Sequence, residues 1–520
     1  MGVIPHSIAD EPSERDLPFV DVYHPMDEVM RTFDSPVGQK TLVDLVTAGC
    51  PAFRRGVRLL VPPISRRADP PLTKSSVNID KATVSELFAK LRMADKPSDN
   101  GKEAKDIESY KFWKTQPVPK FNEDGGKSKR GPIKVINLDE VPKSPYALLD
   151  GFEWGTIDPE DEKEVVELHE LLSNHYVEDD DSTFRLNYSP VFLRWALTAP
   201  GWQKQWHIGV RTSMSQKLVA FISGLPANIN VHTQTIKVVE INFLCIHKKI
   251  RSKRLAPLLI REITRRCYLQ GIYQAIYTAA AVLPTPVASC RYYHRPLSWL
   301  KLCESGFSHL PSGSTKARQI AKYYLPSTTQ TPGLRLMQSD DLDAVYKLLG
   351  QYLQRFDISP TFSIDELRHL LFFGAGQAKE DFSKRVVWAY VVEDLETRKI
   401  TDFVSFYSIE SAVLSHSQND VIRTAYLYYY ASTSSTPNLQ QRIQGLINDA
   451  LILAKKARFD VFNALHLQDN DLFLEKLRFS PGDGRLHYYL FNYQVGPAIN
   501  KDTSDCLDSQ RPGGMGVVML

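Results

Sequence analysis

Between Glu240 and Arg266 the chain reads EINFLCIHKKIRSKRLAPLLIREITRR, an apolar run that passes into a basic loop and then into helical spacing. Eight Lys/Arg and one Glu fall in the twenty residues from His247 to Arg266, so positive charge gathers where the strand should end. A helix N-terminus presents unpaired N–H groups with the helix dipole behind them, and that arrangement binds phosphate. Ser252, Lys253, Arg254, Leu255 and Ala256 are placed to supply those groups, and Pro257 suits a first helical turn. The pattern predicts a polyanion site at the junction, with a solvated basic helix face as the competing reading. Neither a Walker spacing nor a GxGxxG follows the strand, which argues against a nucleoside triphosphate or dinucleotide.

Two further regions carry chemistry. Tyr110, Lys111, Phe112 and Trp113 begin YKFWKTQPVP, expected to be a short extended segment whose rings can cover a flat or apolar ligand while Lys supplies charge. At the carboxyl end a polar run, NKDTSDCLDSQRP, gives way to GGMGVVML. Val517, Val518, Met519 and Leu520 would leave apolar area in water if the tail were free, so burial is expected. The acidic run Glu178, Asp179, Asp180, Asp181 and the PGDG turn holding Asp483 read as solvated turns or as contacts for a basic ligand. The six cysteines show no CxxC and no metal-ligand spacing, no nucleophile elbow is present, and no metal site is expected.

These groups need a scaffold, and the composition allows a large one. At 520 residues, 43% hydrophobic and 24% charged, the chain reads as an ordinary globular protein of about two to four domains. A net charge of +3 makes the basic loop a local feature, unlike the uniformly positive surface of a nucleic-acid wrapper. With no run of about 18 apolar residues and no signal-peptide core, a cytoplasmic protein without stable membrane insertion is expected. Residues 1–80 read as a poorly ordered extension, and KATVSELFAKLRM from Lys81 has helical spacing.

From Gly151 the chain repeats itself at an offset of about 182. Trp206, Lys217 and Phe221 recur as Trp388, Lys399 and Phe403, so a strand, turn, strand unit is expected twice. INFLCIH matches AYLYYYA, the basic helix matches LQQRIQGLINDALILAKKA, and AIYTA with CRYYHRPLSWLKLCESGF matches DVFNA with DLFLEKLRF. Where the first copy has HKKIRSKRLA, the second has ASTSSTPNLQ, which offers no cation to a phosphate.

EINFLCIHKKIRSKRLAP, with KFWKTQPV upstream and FSPGDGRLHYYLFNY downstream, resembles the N-myristoyltransferase (glycylpeptide N-tetradecanoyltransferase) family, its fungal members in particular. The similarity runs from about Lys81 to Leu520. It implies a mixed α/β (α+β) fold of two tandem acetyltransferase-like (GNAT) halves related by a pseudo-twofold axis, each a mixed sheet flanked by helices, after a disordered N-terminal extension. Residues 81–312 would bind myristoyl-CoA, and residues 313–520 would contribute the peptide groove and the catalytic carboxyl end. The implied reaction moves a myristoyl group from its CoA thioester to the N-terminal glycine amine of proteins and nascent chains, by direct attack. Myristoyl-CoA is then a co-substrate, with no permanently bound cofactor.

By the same resemblance, the backbone amides of Phe243 and Leu244 form the oxyanion hole, and the terminal carboxylate of Leu520 takes the glycine proton. Tyr110 to Trp113, Cys245, Ile246 and Ser252 to Ala256 match acyl-CoA contacts. Asn242 and Thr278 match positions near the amine, while Phe184, Tyr292, His294, Asp179, Asp181 and Asp483 match the peptide groove. An α-amine with a pKa near 7.7 to 8.0 is mostly protonated at neutral pH, hence the need for a base. Burying a fourteen-carbon chain contributes on the order of 8 to 10 kcal/mol before other costs. Ala280 stands where the family usually has Gly. Ribosomes are a candidate partner of the amino end, and a monomer is expected. On the residues alone, a phosphoinositide- or RNA-binding module and a short-chain acyl-CoA N-acetyltransferase stay open beside the myristoyltransferase.

Overall fold

Runs rich in Val, Ile, Tyr and Phe, divided by short turns, form strands that join into one large sheet in the computed structural model. It describes residues 110–119, 130–178, 183–374, 385–414, 421–434, 437–496 and 514–520. The extension, the expected helix from Lys81, and Asp179 and Asp181 lie outside those residues. In chain order the strands are β1 (Phe152–Thr156), β2 (Phe184–Asn187), β3 (His207–Thr212), β4 (Leu218–Val231), β5 (Gln234–Ile246), β6 (Ala275–Ala279) and β7 (Ala288–Pro296). They continue with β8 (Leu334–Leu336), β9 (Ile358–Pro360), β10 (Val387–Glu393), β11 (Ile400–Val413), β12 (Val421–Ser432), β13 (Val461–Leu465) and β14 (Ser480–Phe491). Helices are α1 (Glu162–His175), α2 (Pro190–Leu197), α3 (Leu255–Leu269), α4 (Trp299–Glu304), α5 (Lys316–Lys322), α6 (Leu342–Leu353), α7 (Ile364–Phe372) and α8 (Leu439–Lys456). Among the described residues, no helix is long and apolar enough to cross a membrane.

The duplication is visible in the hydrogen-bond registers. His207 pairs with Ser223 across β3 and β4, and Ala389 pairs with Ser405 across β10 and β11, each partner 182 positions from its counterpart. Both hairpins slip register at the same point, between Val210 and Arg211 and between Val392 and Glu393. Their turns even share a left-handed residue, Gln216 and Arg398. β5 then runs parallel to β6, and β12 parallel to β13, because α3 and α8 supply the crossovers that parallel neighbours require.

The sheet order β1-β3-β4-β5-β6-β14-β7-β13-β12-β11-β10-β8 shows an exchange at its centre. β14, from late in the chain, pairs with β6, whereas β7, from the early half, pairs with β13; β7 and β14 pair with each other between them. This corrects one expected correspondence. CRYYHRP forms a strand of its own, β7, while DLFLEKLRF forms a short 3-10 turn at Asn470–Leu472 and further turns ahead of β14. β7 thus has its structural counterpart in β14, on the far side of the turn, and a residue-by-residue offset could not align them.

α3 lies against this sheet through Leu255, Leu259, Ile263 and Cys267, one apolar residue every fourth position. Glu262 is fully buried beside them, where Arg265 Nη2 and Arg266 Nε donate to the same carboxylate oxygen at 2.7 Å. Paired in this way the charge is tolerated inside, and it fixes the rotation of the helix that starts at the basic loop.

Candidate active site

The strand that feeds α3 is broken on purpose. Cys245 pairs with Phe221 and Asn242 with Ser223, which leaves Phe243 and Leu244 without a partner on β4, and pairing to β6 stops at Ile241. Phe243 turns left-handed there, φ +56°, a conformation that costs a non-glycine residue roughly 1 to 3 kcal/mol. Packing holds it: its ring is buried between Tyr188 (centroids 5.6 Å apart) and Tyr176 (5.9 Å). Burial pushes the Tyr176 phenol up to about 12, opposed by the Phe243 backbone amide that faces it. The bulge sends Phe243 into the main core and Leu244 toward the cluster under α3, and leaves both without a register partner on β4. Cys245 is buried with its thiol pushed up to about 12, unsuited to act as a nucleophile; Ile246 packs beside Leu244.

Past Ile246 a 3-10 turn, Lys248–Lys253, leads to Arg254, which is left-handed at φ +57°, and α3 begins at Leu255. Ser252, Lys253 and Arg254 are exposed, Ala256 is half-buried and Leu255 is buried, anchoring the turn. Arg251 donates to the His175 carbonyl at 2.6 Å, and Lys248 pairs with Glu178, which also holds Arg185 at 3.1 Å. Lys249, Lys253 and Arg254 form no ion pair with the described residues. His175 and His247 lie 3.9 Å apart beneath this loop. Burial first, then His247 and the cations Lys248, Arg185 and Arg251, push His175 down to about 4. The helix start therefore sets exposed Lys253 and Arg254 beside backbone N–H groups, an arrangement suited to an anion.

YKFW is not extended as expected: Trp113–Thr115 form a 3-10 turn, closed by Lys114 N–H donating to the Tyr110 carbonyl at 3.0 Å. The turn lets the Trp113 ring lie flat on Tyr277 (5.6 Å, 6°), which itself stacks on Tyr489. Tyr110 Oη donates to the Val282 carbonyl, and the Arg261 guanidinium covers Phe112 at 5.8 Å. Lys111 stays exposed. This strap crosses β6 and reaches α3 at Arg261. A cavity of about 550 Å³ flanks it, lined by Lys114, Lys134, Tyr146, Arg261, Arg265 and Tyr268 among others, but none of residues 242–256 line it.

The carboxyl tail is buried, as its composition predicts: Met515, Val517 and Met519 are each under 5% exposed, and Val518 and Leu520 pack on the main core. Its backbone is pinned from several sides. Gly516 N–H donates to the Ile358 carbonyl at 2.7 Å, Gln468 N–H to the Met515 carbonyl, and Val518 N–H to the Tyr429 hydroxyl at 3.0 Å. Gly516 is required because a Cβ there would meet Phe356 at 2.7 Å.

The groove residues come partly together. Asn242 is buried, with Nδ2 donating to Glu240 Oε1 at 2.7 Å, and Thr278 lies on β6 opposite Tyr488. Phe184 and His294 both meet the Phe307 ring, at 5.6 Å each. His294 Nδ1 is bonded to Asn463 at 2.7 Å, and burial lowers its pKa. Any side chain at Gly482 would collide with that imidazole, so the first glycine of PGDG serves His294. Tyr292 stands edge-on to Tyr426 at 6.1 Å. Asp483 is almost fully exposed, 3.7 Å from Arg291, and stands apart from this cluster's interior. Sequence reasoning missed Glu240, Asn463 and the tail's clasp, Tyr429; the run YLYYYA gave one visible sign, a strand with more hydroxyls than a plain core needs.

Sequence profiles of the N-terminal and C-terminal domains of Myristoyl-CoA:protein N-myristoyltransferase match residues 132–290 and 304–518. The glycylpeptide N-tetradecanoyltransferase of Aspergillus fumigatus is 57% identical over 87% of this chain and 92% of that protein. That of Schizosaccharomyces pombe is 50% identical over 80% of this chain and 90% of its own length. Among solved structures, Saccharomyces cerevisiae N-myristoyltransferase with bound myristoyl-CoA matches with a TM-score of 0.74 at 45% identity, covering 79% of this chain and all of that one.

Proposed function

The chain belongs to the myristoyl-CoA:protein N-myristoyltransferase family, acyltransferases with myristoyl-CoA as co-substrate, and from that premise we propose how its own residues divide the reaction. The first half, residues 81–312, holds the thioester. Its CoA phosphates sit on the start of α3, at Ser252 to Ala256, and the strap from Tyr110 to Trp113 closes over the ligand with Cys245 and Ile246 beneath. The second half, residues 313–520, supplies the tail and completes the peptide groove. One observation carries this reading: β5 leaves Phe243 and Leu244 without strand partners immediately ahead of an exposed cationic helix start. A thioester anchored by its phosphates at one would present its carbonyl oxygen to the other, where the donors oppose the negative charge that develops during attack.

The acceptor is the α-amine of a protein with an N-terminal glycine. Asn242 and Thr278 bind that amine, and Phe184, Tyr292 and His294 line the path of the following residues, with Asp179, Asp181 and Asp483 facing a basic residue further along. Leu520 acts through its terminal carboxylate, which accepts a proton from the ammonium form. Partial burial raises the affinity of such a carboxylate for the proton. The free amine then attacks, the C–N bond forms, the C–S bond breaks, and the extra proton left on the nitrogen passes to the departing sulfur, so CoA leaves as the thiol. The same reading has the protein acting as a monomer in the cytoplasm, with ribosomes as a partner of its amino end.

Mass spectrometry of a Gly-initiated peptide incubated with the purified protein tests this. Myristoyl-CoA should add one myristoyl group, and acetyl-CoA should add nothing measurable. Acetylation instead would assign a short-chain enzyme. Salt-sensitive binding of phosphoinositide or RNA with no transfer would assign a polyanion-binding module.

A further inference from the structure

Glu240 and Asn242 sit two positions apart on β5 and so project from the same face of the sheet. The Asn242 backbone is fixed on one side, its carbonyl accepting from the Ser223 hydroxyl at 3.0 Å. Its side chain is fixed on the other, Nδ2 donating to Glu240 Oε1 at 2.7 Å. An ionised carboxylate only accepts hydrogen bonds, so the nitrogen end of the carboxamide has to face it. Oδ1 is then turned the other way, and no hydrogen bond from the described residues reaches it. It stands one residue ahead of the left-handed Phe243, which has no register partner on β4.

Glu240 is itself confined. It is half-buried, surrounded by the sheet, and burial raises its pKa while the Asn242 bond opposes the rise. The titratable groups that face it are the phenols of Tyr407 on β11 and of Tyr428 and Tyr429 on β12, all pushed up by burial and further by Glu240. Tyr429 is the side chain that clasps Val518, its hydroxyl accepting from the Val518 amide. Glu240 and the tail therefore converge on one tyrosine.

We infer that Glu240 is a positioning residue, which locks the Asn242 carboxamide with its oxygen toward the incoming glycine amine. Oδ1 accepts one N–H of that amine and holds its lone pair toward the thioester. A protonated Glu240 loses this authority, because a carboxylic acid can donate to Oδ1 as readily as it accepts from Nδ2, and the amide is then free to flip. Activity should accordingly fall as the pH drops through the Glu240 pKa. The inference rests on the acyl-transfer reading above.

Steady-state myristoylation of a Gly-initiated peptide by the full chain tests it, with wild type, Glu240→Gln, Asn242→Ala and the double variant compared across the acid limb of the pH profile. Glu240→Gln should lower kcat by roughly 10- to 100-fold, as loss of an orienting partner does elsewhere. Its KM for myristoyl-CoA should stay unchanged, and its acid limb should move to lower pH. In the Asn242→Ala background the same substitution should cost nothing more. An unaltered kcat in Glu240→Gln, or a loss of equal size with and without Asn242, overturns the inference. If Glu240→Gln does not fold, Glu240→Asp, which keeps the charge but draws it back, is read in the same cycle against the same two outcomes. A wild-type protein that transfers no myristoyl group defeats the acyl-transfer reading itself.

Discussion

At two related places the early half of the sheet leaves something unsatisfied that the late half completes. Near the start of α8, Arg442 donates to Asp402, which also accepts from Ser432 Oγ, so the cation is consumed by the fold. Near the start of α3, Lys253 and Arg254 point into solvent. At the bulge of β12, the Ser405 hydroxyl accepts from the Tyr429 amide and donates to its carbonyl. At the bulge of β5 the corresponding Ser223 bonds only the Asn242 carbonyl, although both bulges set two residues against one. Opposite these serines stand Ala389 in the late half and His207 in the early one. The lesson is that a duplicated scaffold acquires a ligand site by withholding a few internal bonds, and its sister copy shows which ones.

Three experiments press on that contrast. The largest effect should follow removal of Met519 and Leu520, or addition of one residue after Leu520. Turnover should fall by about 100-fold or more, the usual size of a lost general base, with Kd for myristoyl-CoA nearly unchanged. Calorimetry alongside kinetics would show it, and full turnover would dismiss the terminal carboxylate as base.

Next comes acid. His207 is fully buried, stacked on Trp202 at 5.3 Å, and burial holds its pKa at about 4, only slightly opposed by Asp158, against an ordinary 6.5. The unfolded chain takes up this proton first as pH falls, so the stability is complete above about pH 6.5 and is lost toward pH 4, up to about 3 kcal/mol. Hydrogen exchange should show β3 and β4 losing protection at a higher pH than β10 and β11, and equal loss in both hairpins would contradict this. The smallest effect concerns the loop: Lys253→Glu or Arg254→Glu should each weaken myristoyl-CoA binding by about tenfold, with a shallower salt dependence. Lys455→Glu, at the far end of α8, serves as the control and should change nothing.

The duplication was legible because Trp206, Lys217 and Phe221 recur with their spacing intact, and the sheet preserves that spacing in its registers. The cationic helix start was legible too, since charge and proline are local signals. The buried tail followed from Val517 to Leu520 alone. The 3-10 turn at Trp113 was missed because it depends on Tyr277, more than 160 residues away. Glu240 was missed for a similar reason: a single acid in an apolar strand acquires meaning only once Asn242 and three tyrosines surround it. The strand exchange could not be read from local pattern, because β7 and β14 look like any other strands until their neighbours are known.

That crossing of β7 and β14 has a mechanical consequence. Each half closes the other's sheet, so neither half can swing away without stripping hydrogen bonds from both flanks of two strands. A polypeptide severed near residue 312 would give fragments with raw β edges, surfaces prone to aggregate rather than to catalyse. Opening and closing around substrates must therefore be the business of loops and straps, with the central strands serving as an unyielding spine shared by both.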